Sequence, residues 1–207
     1  MKKDIAKLNN LSLIFFFILL YLSLIIGFHL NEDSTGGAFI DYKGQKVVSE
    51  AFAINFKETF LNYDNFATRH SPVLIILLSL FEKININDDL IRIIHLHISL
   101  ILPIAFYLVL IEKFKTVEKN YLLLIVGLIF LSPTFRSLSI WPDSRLLGLS
   151  IFTLSILFYL YFLRYNKFIY CCLNILFCAL SAYISPNFAV FSIYFFYSFL
   201  KKYDFFT

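Results

Sequence analysis

Hydrophobic positions in this chain fall in long unbroken blocks, and one polar stretch divides them. Residues 11–30 form an apolar run of about 20 residues, the length that crosses a hydrocarbon core as an α-helix. The polar stretch NEDSTGGAFIDYKGQKVVSEAFAINFKETFLNYDNFATRH, residues 31–70, follows at once. Residues 71–81 are apolar but too short for a normal span before Glu82 and Lys83. Further apolar blocks predict spans at 90–111, 121–140, 146–163, 168–184 and 188–200. A transmembrane barrel would alternate polar and apolar residues, and these blocks do not. The pattern therefore predicts an all-α, polytopic transmembrane helix bundle forming a single membrane domain over 1–207. It has about six spans: the first at 11–30 and five more within 90–200. An extracytoplasmic loop at 31–83 carries interfacial helices.

Inside the polar stretch, Val48, Phe52, Phe56 and Phe60 recur every fourth residue among polar neighbours. This spacing predicts one amphipathic helix lying in the membrane interface, with Gly36 and Gly37 breaking the chain before it. Residues 71–81 are expected to stay on the outer face as a re-entrant or juxtamembrane helix.

Composition places the chain outside ordinary soluble domains: 59% of its 207 residues are hydrophobic and 19% aromatic. The net charge of +4 is small, so its placement decides more than its size. Lys2, Lys3 and Lys7 precede the first apolar run, which is longer than a signal-peptide core and has no small-x-small cleavage motif. An uncleaved span with a cytoplasmic N-terminus follows from the positive-inside rule. With 71–81 outside, Lys113, Lys115, Lys119, Arg164, Lys167, Lys201 and Lys202 all fall in cytoplasmic connectors; if 71–81 crossed, they would move outside. The polar loop and the turns at 85–89, 139–145 and 185–187 then open on one outer face. No basic cluster interleaved with aromatics suggests a nucleic-acid partner. Cys171, Cys172 and Cys178 share one apolar segment without histidine spacing, which argues for packing over a disulfide framework or a zinc site.

Several residues could carry chemistry on that face. Asp33 and Asp41 flank the glycine pair, and a carboxylate partly shielded from water can act as a base towards a hydroxyl. The competing reading makes them ordinary loop acids, with Asp33 or Ser34 capping a short helix. Arg69 and His70 precede Ser71-Pro72, where a cation could bind a phosphate or snorkel to headgroups. Arg92 and His95 share one helix face and His97 points elsewhere, while Asp88 and Asp89 suit the start of that helix structurally. In SPTFRSLSIWPDSR, residues 132–145, Arg136 interrupts an apolar helix and Trp141 marks the interface. Pro142 and Asp143 open the next span there, with Asp143 as a cap or a substrate contact. Asn187 is available in the turn at 183–187.

Together these stretches resemble the N-terminal part of the GT-C glycosyltransferases, multi-span enzymes that use polyprenyl-phosphate sugars, such as protein mannosyltransferases and the lipid A aminoarabinose transferase. The resemblance rests on NEDSTGGAFIDY directly after the first span, RHSP, the Arg-bearing helix start DDLIRIIHL, and SPTFRSLSIWPDSR after the third span. It implies an inverting sugar transfer from a polyprenyl-phosphate sugar to an acceptor on the outer face. Asp33 would be the catalytic base and Asp41 the alternate. Asp143 would be the second outer acid, with Arg69, His70 and Arg145 beside the lipid phosphate. An acidic pair could recruit Mg or Mn, although no metal site is identified. Bacterial inner (plasma) membrane is the implied location. Such enzymes are usually longer, so the resemblance leaves open a truncated or split product, a subunit that depends on a partner subunit for further spans, or an inactive remnant. The rival is a truncated or non-catalytic scaffold or lipid-binding subunit; a small transporter ranks last, because the later spans carry little polar lining.

Overall fold

A computed structural model describes residues 10–66, 68 and 71–202 as an all-α bundle, with no strand among them. Eleven α-helices follow in order among the described residues: α1 Asn10–His29, α2 Ala38–Ile54, α3 Phe56–Leu61, α4 Pro72–Lys83, α5 Asp88–Ser99, α6 Ile101–Lys113, α7 Lys119–Leu131, α8 Pro133–Ile140, α9 Ser144–Tyr165, α10 Phe168–Ile184 and α11 Phe191–Lys202. Three stretches are long and apolar enough to cross a membrane: α1, the 26 residues of α5 with α6, and α9. Counting the bent pair α7–α8 as one span makes four. The expected fifth and sixth spans correspond to α10 and α11, of 17 and 12 residues, which are shorter than that length.

Local sequence explains where the helices begin and break. Pro103 brings no N–H to bond the carbonyl four residues earlier, and the α5–α6 boundary falls at Leu100, just before it. The block at 121–140 is not one straight helix: Ser132 caps α8 by accepting from the Phe135 amide, Pro133 opens it, and the axis turns by 66°. The expected single amphipathic helix through Val48 and Phe60 is likewise two. Asn55 leaves helical geometry and its side chain accepts from the Glu58 amide, which starts α3. Val48 and Phe52 are consequently buried against Ile75 of α4, while Phe56 and Phe60 are about half exposed. Gly36 does precede α2 as expected, with a positive φ of 72° that only glycine adopts freely.

Separate packing cores hold the helices together. The larger core joins α1, α2, α4, α5 and α8 around Leu24, Ile91, Leu96 and Ile140. A second, aromatic core of Phe152, Tyr159, Phe162, Phe195 and Phe199 joins α9 to α11. Asn174 of α10 donates to both the carbonyl and the hydroxyl of Ser155 on α9, at 2.9 Å each. Arg164 at the end of α9 pairs with Glu112 at the end of α6 at 2.8 Å, and Asn120 of α7 bonds Asn10 of α1. One end of the bundle therefore collects the start of α1, the end of α6, the start of α7 and the end of α9, together with their basic connectors.

Candidate functional site

At the opposite end, Trp141 is the hub. The bend before α8 turns this residue inward, so it is buried and not an interfacial anchor as its place in the sequence suggests. Its Nε1 donates to the Glu32 carbonyl at 3.1 Å, its ring packs on Phe39 of α2, and the Arg92 guanidinium lies 3.7 Å over it. Arg92 and His95 of α5 also serve the last carbonyls of α8, Arg92 through Nε to Ile140 and His95 through Nε2 to Leu138. These are carbonyls that a helix C-terminus leaves without intrahelical partners. Arg136 pairs with Glu32, its Nη2 2.6 Å from the carboxylate, and reaches Ser23 of α1. The Arg136 hydrogen bond, opposed by burial, holds the Glu32 carboxyl below the usual range.

This frame fixes the polar stretch over the start of α9. Asp33 accepts from the Ala38 amide at 3.2 Å and the Phe39 amide at 3.3 Å, so its carboxylate sits on the positive end of α2. Asp41, in the first turn of α2, accepts from Arg145 Nη2 at 2.7 Å. The same Nη2 reaches Asp143 at 2.8 Å, and Asp143 also caps α9 by accepting from the Arg145 amide at 2.7 Å. Asp143 is fully buried, whereas Arg145 is half exposed. The structure thus brings Asp41, Asp143 and Arg145 into one cluster, with Asp33 at the head of the same helix as Asp41. Arg69 and His70 lie outside the described residues.

A divalent ion does not fit this acid pair, because the Arg145 guanidinium already fills the space between Asp41 and Asp143. Among the described residues no three His, Cys, Asp or Glu side chains converge on a common point.

Arg145 also lines a groove of about 640 Å³ between α6, α7–α8, α9 and the turn at Pro186–Phe188. Its walls are apolar, with Phe106, Leu149 and Ile156 among them, and its polar groups include Arg145, Ser185 and Asn187. Ile156 lies about 16 Å further along α9 than Arg145, at 1.5 Å per helical residue. The groove can therefore take a hydrocarbon chain with its polar end at Arg145.

Some participants were not singled out in the sequence. Tyr42 and Lys46, one helical turn apart on α2, both donate to Asp88 at the start of α5, Lys46 at 2.9 Å. Burial, reinforced by Asp88, pushes the Tyr42 hydroxyl up. Burial opposes the Lys46 charge, but Asp88 outweighs it and raises that group. The i, i+4 spacing of Tyr42 and Lys46 was the available signal; Asp88 was expected only as an acid at its helix start, and nothing local paired it with α2. Glu32, next to Asp33, was overshadowed by its neighbour.

No family model matches this chain, and searches of curated proteins and of solved structures find no match either.

Proposed function

We propose that this chain binds a polyprenyl-phosphate sugar and transfers the sugar, with inversion, to an acceptor at the membrane surface. The observation that carries the reading is Arg145, which lies between two carboxylates and lines an apolar groove. The lipid occupies the groove, and its phosphate takes hydrogen bonds from the guanidinium, the geometry arginine uses best. Two carboxylates against one guanidinium leave a net negative cluster, so a phosphate must displace one acid. Asp143 is buried and also holds the α9 amide; Asp41 is partly exposed and is the one released. The freed Asp41 carboxylate takes the proton of the acceptor hydroxyl as its oxygen bonds to the anomeric carbon. The bond from that carbon to the phosphate oxygen breaks, and polyprenyl phosphate leaves against Arg145. Asp33, with each oxygen already accepting a backbone amide, positions α2.

By the positive-inside rule the basic end, with the N-terminus, is cytoplasmic and the acid-bearing face lies outside. The resemblance to GT-C enzymes favours a bacterial inner membrane. The test is release of polyprenyl phosphate from a panel of hexosyl and pentosyl donors by the chain in proteoliposomes. Asp41→Asn should abolish release while leaving lipid binding intact; unchanged release in that variant refutes the assignment. The capping of α2 by Asp33 favours a second reading, a non-catalytic lipid-binding subunit, in which the wild-type chain binds the lipid and releases nothing.

A further inference from the structure

A second cleft, of about 390 Å³, opens where the end of α1 meets the start of α5. It is lined by Phe28, His29, Asn31, Asp89, Arg92 and Ile93, among others, and shares no lining residue with the groove at Arg145. Arg92 forms its buried wall. Arg92 is only 4% exposed, and its guanidinium packs on the rings of Phe28 and Trp141. Of its five N–H donors, one goes to Ile140, one to Asp89 and one to Asn31. Two donors are left for a ligand. Asp89, at the mouth of the cleft, has 82% of its side chain exposed and gives only Oδ1 to Arg92 at 3.2 Å. Its Oδ2 is available. The neighbouring acid, Asp88, is already neutralised by Lys46 and bonded by Tyr42.

The cleft therefore presents one cation with spare donors and, beside it, one carboxylate with a spare acceptor. A purely anionic ligand would meet the Asp89 charge; a purely cationic one would meet Arg92. A zwitterion satisfies both. The cleft also lies at the ends of two apolar helices long enough to cross a membrane, which is the depth of lipid headgroups. We propose that it is a headgroup site for an amino-phospholipid of the ethanolamine type, with the phosphate on Arg92 and the ammonium on Asp89. Phe28 and Ile93 lie against the first carbons of the acyl chains. An ethanolamine ammonium hydrogen-bonds a carboxylate, whereas a choline headgroup has no N–H to give.

The test uses the only tryptophan of the chain as reporter, since Arg92 lies on Trp141. The purified full chain in detergent is titrated with short-chain phosphatidylethanolamine, phosphatidylcholine, phosphatidylglycerol and inorganic phosphate while tryptophan emission is followed. The expected result is a saturable change with phosphatidylethanolamine and roughly tenfold weaker binding of the other two lipids, the size of one lost charge-assisted bond. Asp89→Asn, at an exposed position that leaves folding intact, should erase the preference over phosphatidylglycerol. An Arg145→Gln background should keep the whole response, which separates this site from the proposed transferase groove. The proposal is overturned by a response equal for all headgroups, by no saturable response, or by a preference that survives Asp89→Asn. Saturation by inorganic phosphate alone overturns the lipid assignment in favour of a free-phosphate site.

Discussion

Replacing Glu32 with Gln should destabilise the bundle at the point where α1, α8 and the polar stretch meet. Arg136 makes hydrogen bonds to both Glu32 oxygens, and both side chains are mostly shielded, at 16% and 24% exposure. Charge-assisted hydrogen bonds contribute about 1.5–3 kcal/mol each, and removing one partner of a fully buried pair costs about 3–5 kcal/mol. Partial exposure and the remaining bonds of Arg136 to Ser23 place this site lower, at about 2–3 kcal/mol, a roughly 30- to 160-fold fall in the folded-to-unfolded ratio. Unfolding in mixed micelles with a denaturing detergent, followed by Trp141 emission, reads this directly because Trp141 Nε1 is bonded to Glu32.

The same pair sets a pH dependence. The Glu32 carboxyl is held below its ordinary range in the folded chain, so its contribution is complete above that range and is lost as pH falls through the folded value. Wild-type stability should therefore drop as pH falls below about 5 and through the folded value, by an increment that Glu32→Gln lacks. A glutamine variant within about 0.5 kcal/mol of wild type, or one that keeps the whole acid loss, would refute the reasoning.

Asp33→Ala should cost about 1 kcal/mol and raise hydrogen exchange at the Ala38 and Phe39 amides, since both lose their acceptor; unchanged exchange there would show that the carboxylate is not the cap. Gly148→Leu should weaken binding of polyprenyl phosphate, because even a Cβ there would lie 2.9 Å from the Ser185 side chain and 3.2 Å from Phe188, both in the groove wall. Asn174→Leu should cost about 1 kcal/mol by removing both of its bonds to Ser155, measured in the same micelle titration.

How far the sequence carries can be judged from particular residues. The helical blocks were legible because a lipid-facing helix must stay apolar along its whole length, and α1, α5–α6 and α9 follow the expected spans closely. The bend at Ser132-Pro133 was written in the sequence as a cap followed by proline, yet the apolar residues on either side masked it. The break at Asn55 was masked in the same way by a continuous fourfold spacing of apolar positions. At the site, the caps of Asp33 and Asp143 are local and were foreseeable as alternatives. The pairings of Arg145 with Asp41, Arg136 with Glu32 and Lys46 with Asp88 are not, because each joins residues from separate helices or loops. No periodicity encodes which two helix ends meet, and Trp141 reads as an interfacial anchor until the turn of α8 carries it inside.

The most direct measurement is binding of polyprenyl phosphate to the purified chain in nanodiscs, comparing wild type with Arg145→Gln. Wild type should bind saturably and the variant should bind roughly tenfold or more weaker, the size of one charge-assisted phosphate contact. Equal binding by the two chains, or none by wild type, would contradict lipid binding at Arg145.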